Sequence, residues 1–160
     1  MSWSHYLFGF HGRINRARYW QAIPVGFGFL VVACLLAVPY IAIDQPHANS
    51  GHPLSPLGIA TIVAECALAL SYFVFAFALM VKRLHDRNRS AWFILPFFVV
   101  PELLSAMVNL NKHAGMPLPL ELALRLAILG LSIWAFVELG CLRGTEGENR
   151  YGPDPLQGAL

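Results

Sequence analysis

Four long apolar stretches, Pro24–Ile43, Leu57–Val81, Ala91–Leu110 and Leu120–Leu142, occupy most of this chain. At about 1.5 Å of rise per residue, each makes a helix of roughly 30 Å or more, enough to cross the hydrocarbon core of a bilayer. A chain built this way has few folds open to it. Backbone polar groups inside lipid must be satisfied within the chain, which leaves helices as the natural spanning element. The expected object is an all-α membrane protein, one domain over residues 1–160 with four spans. Composition agrees: 57% of the residues are hydrophobic and only 12% charged, about half the charge of an ordinary soluble domain.

The distribution of charge orients the spans. Arg13, Arg16 and Arg18 precede the first, and Lys82, Arg83, Arg87 and Arg89 lie between the second and third. Arg143 and Arg150 follow the fourth. The other two connections, Asp44–Pro56 and Asn111–Pro119, hold a single basic residue, Lys112. This asymmetry predicts that both termini are cytoplasmic in a multi-pass protein. The first apolar run is too long, and its basic residues too far from the start, for a cleaved signal peptide. Cys34, Cys66 and Cys141 fall within spans at no metal-type spacing, so they are expected to be small buried apolar residues without disulfides.

The segment before the first span interleaves aromatic and basic residues, from Trp3, Tyr6, Phe8 and Phe10 to Tyr19 and Trp20. That pattern predicts a segment lying in the headgroup layer. Asn15 is placed to cap a short helix there, and Pro24 suits the first turn of the span. Lys82–Ser90 reads as a tight nine-residue connection, with Ser90 capping the third span and Trp92 anchoring it at the interface. Pro96 and Pro101 predict a kink or local unwinding in that span. The tail after Arg143 is polar and rich in Gly and Pro, hence irregular.

Charges within the spans need a reason to be there, because they are costly in lipid and normally face protein or a wet cavity. Glu65, Glu102 and Arg125 can be brought to one depth by three helices, with Glu121 close to Arg125. Such a cluster is expected either to fix helix register or, through a surplus carboxylate, to carry a proton or cation. Glu138 lies near the basic end, where Lys82, Arg83 or Arg143 would neutralise it.

Three segments carry the most distinctive residues: GRINRARYW (Gly12–Trp20), KRLHDRNRSAW (Lys82–Trp92) and GENRYGPDP (Gly147–Pro155). A bundle of the four spans would bring them together on one side. In combination they resemble the bacterial inner-membrane family known only as domain of unknown function 805, the YhaH-like proteins. The resemblance runs from Phe8 to Pro155. It marks Gly12, Arg13, Arg16, Tyr19, Trp20, Arg83, Leu84, His85, Asp86, Ser90, Trp92, Asn149, Tyr151, Gly152 and Pro153 as signature positions. The family pattern has R-S-G-W-W where this chain reads Arg89-Ser90-Ala91-Trp92-Phe93, which touches only local packing. The resemblance implies an inner-membrane location and no reaction.

Three functional classes follow. The favoured one is a non-enzymatic membrane protein whose cytoplasmic rim (Arg13, Arg16, Tyr19, Trp20, Arg83, His85, Asp86, Ser90, Trp92, Asn149 and Tyr151) binds anionic lipid headgroups or a protein partner. Arg13, Arg16, Arg83 and Arg87 together would make an anion site, because guanidinium forks match phosphate oxygens. The second is a small transporter or channel subunit using Glu65, Glu102, Glu121 and Arg125. The third is an enzyme working through the adjacent His85 and Asp86. No catalytic set, metal site or cofactor is called for: His5, His11 and Asp154 lack a recognisable ligand spacing. Nucleic acid is excluded, since no basic domain extends beyond the headgroup layer. Gly26, Gly28 and Ala33 leave packing against a second copy open.

Overall fold

The computed structural model describes residues 3–45, 53–111 and 115–157; they are mostly helical, with irregular segments at 9–15 and 142–157. In chain order the helices are α1 (Trp3–Phe8), α2 (Arg16–Gln21), α3 (Ile23–Pro39), α4 (Pro56–Asp86), α5 (Val100–Asn111) and α6 (Leu118–Phe136). Widened turns extend α3 over Tyr40–Asp44 and α6 over Val137–Cys141; a tight turn at Ala91–Phe93 and a widened one at Leu95–Val99 lead into α5. Among the described residues, four stretches are long and apolar enough to cross a membrane: Arg16–Asp44, Pro56–Asp86, Ala91–Leu110 and Leu118–Cys141. The proline-bearing third stretch is the irregular one. Pro96 and Pro101 lack the N–H that a regular ladder needs, so the helix settles only from Val100 onward. Lys112, the lone basic residue of the poorly charged connections, lies outside the described residues.

Two compact units share the chain. The first comprises residues up to Gly9 and Gln21–Ala78. Its packing is aromatic: Phe29 of α3 stacks on Phe75 of α4 at 5.6 Å and meets Tyr72 at 5.7 Å, while Phe8 meets Phe75 edge-on at 6.4 Å. At the other end, the start of α4 is capped from α3. The buried Asp44 carboxylate accepts the Ser55 amide at 2.7 Å and the Ser55 hydroxyl at 2.9 Å. The Ser55 oxygen in turn accepts the Gly58 amide at 3.0 Å. Four orphan amides open every helix, and this relay satisfies two of them with a negative charge at the favourable pole. Gly58 is required here, because any Cβ would overlap the Asp44 carboxyl.

The second unit comprises Phe10–Trp20 and everything from Leu79 onward. Ile14, Leu84, Ile94, Phe97, Val108, Ala135 and Leu139 are buried in it. Phe97 sets its edge on Trp134 at 4.8 Å, and Trp20 meets Phe136 at 5.9 Å. Here the structure corrects the expected connection Lys82–Ser90. α4 continues to Asp86, and Lys82 and Arg83 are fully buried rather than solvated. Polar residues do not by themselves end a helix. What ends it is Asn88, which adopts a left-handed backbone at φ 56°. A second correction concerns Cys34, Cys66 and Cys141, all three of which are exposed. Sulfur is apolar enough to sit on a lipid-facing surface, so burial within protein is not required of it.

Candidate functional site: an arginine clamp at the basic end

All three motif segments meet in the second unit: the first two on Asp86, the last residue of α4, and the third on the Arg13 side chain and the His85 carbonyl. The Asp86 carboxylate accepts Arg13 Nε at 3.2 Å on Oδ1 and Arg83 Nη1 on Oδ2. Arg83 lies one helical turn earlier, so α4 itself aligns this pair. Arg13 comes from the segment before α2, which is tied to α4 by the Ile14 amide on the Lys82 carbonyl at 3.4 Å. All three side chains are buried, with 3% or less of each exposed. Gly144 closes the site from the fourth side: an added Cβ would overlap the Asp86 carboxylate.

Arg13 spends every donor it has. Beyond Asp86, Nη1 reaches the carbonyls of Gly147 at 2.7 Å and Gly152 at 3.2 Å. Nη2 reaches the Thr145 carbonyl at 2.5 Å and its hydroxyl at 3.2 Å. A guanidinium offers five N–H groups, and all five are used inside the protein. Four of these bonds hold the tail. The tail answers in kind: the Thr145 amide donates to the Asp86 carbonyl at 2.8 Å, and Asn149 Nδ2 donates to the His85 carbonyl at 3.0 Å. Asn149 and Gly152 exchange backbone bonds across a turn that Gly152, at φ 128°, alone makes affordable to the chain. Asp154 accepts the amides of Gly147 at 3.0 Å and Leu156 at 2.9 Å, and those two N–H groups hold its carboxyl below the usual range.

The same segments cap the end of the fourth span. A helix leaves its last carbonyls without partners. Here five consecutive carbonyls are met by side chains: Leu139 by Arg83 Nε at 2.7 Å, Gly140 by the Trp20 indole at 2.9 Å, and Cys141 by Arg16 at 3.4 Å. Leu142 is met by Arg83 Nη2 and Arg143 by Arg87 at 2.6 Å. Three arginines thus sit at the negative pole of the helix, where cations are favoured. Gly140 lets Trp20 approach, since a Cβ there would lie 2.9 Å from the indole ring. Glu138 is buried and neutralised by Arg87 at 3.1 Å and Arg89 at 3.6 Å. Those partners differ from the expected Lys82, Arg83 or Arg143, because Lys82 and Arg83 are drawn into the core while α4 runs on to present Arg87.

The remaining motif residues divide between framework and surface. Asn15 does cap α2, accepting the Arg18 amide at 2.9 Å. Ser90 occupies the position before the third stretch, but its carbonyl rather than its hydroxyl takes the Phe93 amide. Tyr19 packs edge-on against Trp20 at 6.3 Å. His85 and Asp86 face different partners: the His85 ring stacks on Tyr151 at 3.8 Å and 9°, and its Nδ1 is buried without a partner among the described residues. Arg150 covers the Tyr151 ring at 4.7 Å and reaches the Asn88 carbonyl. Trp92 is 76% exposed, as an interfacial anchor should be.

Of the intramembrane charges, Glu102, Glu121 and Arg125 lie in the second unit. Arg125 spends Nε at 2.9 Å and Nη2 at 2.7 Å on Glu121, one turn away on α6. Both Arg125 and Glu102 are exposed, and a salt bridge within one helix needs no third element. Glu65 belongs to the first unit, half-buried, and its Oε1 has no partner among the described residues.

Sequence reading missed the acceptors. Thr145, Gly140, Gly144 and the run of carbonyls from Leu139 to Arg143 carry no side-chain signature of the role they play. The one available signal was the Gly-Thr that follows Arg143, small enough to admit the Asp86 carboxylate.

With this geometry in hand, the comparison with known proteins is direct. The family described as protein of unknown function (DUF805) matches residues 7–153. The chain belongs to this family. Among curated members of Escherichia coli strain K12, the uncharacterized protein YiiR is 30% identical over 156 residues, 96% of this chain and 90% of that one. The inner membrane protein YhaH of the same strain is 30% identical over 151 residues, 92% of this chain and 87% of that one. No solved structure matches. For this DUF805 protein, Arg13, Arg83, Asp86 and Asn149 form the clamp, and Trp20 and Arg16 cap the fourth span.

Proposed function

We propose that this DUF805 protein is a non-enzymatic, multi-pass protein of the bacterial inner membrane whose cytoplasmic rim binds anionic lipid headgroups. One observation carries this: the basic residues of the second unit fall into two populations. Arg13 and Arg83 are buried and committed to protein acceptors, so they fix the rim and are closed to a ligand. Arg16, Arg18, Arg89, Arg143 and Arg150 are exposed at the same end, next to the exposed rings of Trp20 and Trp92. Exposed cations beside interfacial tryptophans match the depth of a headgroup layer and its negative surface potential. The rim as first read therefore narrows from the motif arginines to these outer ones. The uneven charge of the connections and the inner-membrane name of YhaH support the cytoplasmic side and the location.

Reconstitution in phosphatidylcholine vesicles with increasing phosphatidylglycerol tests it. The thermal unfolding midpoint should rise with the anionic fraction at low salt. The gain should shrink at 1 M salt, where the screening length is about 3 Å. A midpoint indifferent to the anionic fraction would contradict the proposal.

The transport alternative has one observation of its own, the unpartnered Glu65 Oε1 in a unit whose described residues contain no lysine or arginine. It predicts cation or proton flux into liposomes that Glu65→Gln abolishes. Flux no faster than in empty vesicles would dismiss it.

A further inference from the structure

Arg143 stands apart from the other basic residues of its unit. Its backbone is fixed, because its carbonyl accepts Arg87 at 2.6 Å and the four carbonyls before it are likewise held. Its side chain is exposed and has no hydrogen-bond or ion-pair partner among the described residues. It therefore presents five unspent donors on a rigid mount, two residues beyond the end of the fourth span. Arg16 reaches the chain two residues before it. One Nη of Arg16 touches the Cys141 carbonyl at 3.4 Å, and the rest of that exposed guanidinium is uncommitted. Cys141 and Arg143 are two residues apart, at most about 7 Å between their Cα atoms, a separation that two arginine side chains are long enough to bridge around a single anion.

Charge accounting points the same way. Arg16, Arg87 and Arg143 converge on residues 141–143, yet the carboxylate bonded among them is Glu138, already shared by Arg87 and Arg89. Neither Arg16 nor Arg143 is ion-paired among the described residues, the exposed Glu146 and Glu148 of the tail included. Trp20, whose indole is bonded to Gly140, places an exposed aromatic ring at the same level, where ring and headgroup mix.

We infer that Arg143 and Arg16 form a discrete phosphate site for one anionic phospholipid at the end of the fourth span. This rests on the lipid-binding role proposed above and sharpens it from a diffuse rim to one occupied position. The bond partners would be the guanidinium N–H groups and the phosphate oxygens, a bidentate match that a lysine ammonium cannot reproduce. Occupancy would place the acyl chains along the exposed apolar surface of α6, where Ile133 and Val137 already face outward.

Native mass spectrometry of the detergent-purified protein, titrated with phosphatidylglycerol or with phosphatidylcholine of the same chains, reads the site out. The paired variant Arg16→Gln/Arg143→Gln is compared with Arg89→Gln/Arg150→Gln, which removes the same charge elsewhere on the rim. Thermal unfolding in detergent checks that both fold. The wild type should show a saturating one-lipid adduct with phosphatidylglycerol. The first pair should weaken it about tenfold, as losing two charge-assisted forks requires, and clearly more than the second pair, whose guanidinium groups are already engaged by Glu138, the Tyr151 ring and the Asn88 carbonyl. Equal weakening by both pairs would overturn the discrete site while leaving the diffuse rim standing. No preference for phosphatidylglycerol in any protein would overturn both. If inorganic phosphate alone raises the wild-type unfolding midpoint in an Arg143-dependent manner and displaces the lipid, the site is one for free phosphate and the lipid assignment falls. A variant Arg143→Lys should rescue little of the lost binding; full rescue would show that charge alone, without the fork, suffices.

Discussion

Replacing Arg13 should free the tail from the end of α4 without unfolding the spans. The side chain is 1% exposed and its five donors divide unequally: one to Asp86, four to Thr145, Gly147 and Gly152. Summing the bonds would overstate the loss, because the tail carbonyls regain water once the tail lifts. The larger cost is the half-emptied ion pair. Removing one member of a buried pair costs about 3–5 kcal/mol, and Arg83 still holds the other oxygen of Asp86, so the lower figure applies. About 3 kcal/mol is roughly a hundredfold in an opening equilibrium. Hydrogen exchange of the Thr145 and Asn149 amides, bonded to the carbonyls of Asp86 and Gly152, reports that opening residue by residue. Arg13→Ala should accelerate both by about two orders of magnitude while amides in α5 and α6 keep their rates. Arg13→Lys should recover little, since three ammonium donors cannot meet five acceptors in fork geometry. If exchange at Thr145 and Asn149 stays within about threefold of wild type in Arg13→Ala, the guanidinium does not hold the tail and the clamp is wrong.

Further expectations follow from the same contacts. Gly144→Ala drives a Cβ into the Asp86 carboxylate and should open the tail as Arg13→Ala does, read by the same exchange; wild-type protection would show that the carboxylate has room to move. Asp44→Ala strips the Ser55 amide and hydroxyl of their acceptor and should lower stability by about 1–3 kcal/mol, measured by denaturant unfolding in mixed micelles. Trp20→Phe keeps the ring and loses the bond to Gly140, at a cost of about 1 kcal/mol; a change of no more than about a tenth of that would place the stabilisation in packing alone. The depressed Asp154 carboxyl gives a pH signature of known sign. Its contribution is complete above the ordinary carboxylate range and is lost as pH falls through the lower folded value. The Gly147 and Leu156 amide shifts in NMR should therefore titrate together at acid pH, and Asp154→Asn should remove that titration.

The spans were legible in the sequence because lipid allows little else: twenty apolar residues in a row have one common solution. The meeting of the three motif segments was legible too, from the side on which the basic residues fall. What the side chains do there was not. Arg13 and Arg83 looked like surface cations because arginine beside a span usually is one, whereas a carboxylate at Asp86 and a run of free carbonyls draw them inward. Backbone acceptors have no letter in the sequence, so a cap built on Leu139–Arg143 leaves no trace beyond the donors. Depth alone did not name the partner of Arg125 either. Its rise along the helix matches Glu65 and Glu102, but Glu121 lies one turn away on its own helix, and the nearest carboxylate takes the guanidinium.

The most direct test of the division between committed and lipid-facing arginines is tryptophan quenching in mixed bilayers containing brominated phosphatidylglycerol or brominated phosphatidylcholine. With Trp3 and Trp134 replaced by phenylalanine in every protein compared, quenching of Trp20 and Trp92 gives the relative affinity of the two headgroups for the protein surface. At low salt the ratio should favour phosphatidylglycerol, and replacing Arg16, Arg89, Arg143 and Arg150 with glutamine should bring it most of the way to unity, Arg18 remaining. A ratio of unity for the wild-type protein, or one that survives those four substitutions, would contradict the account.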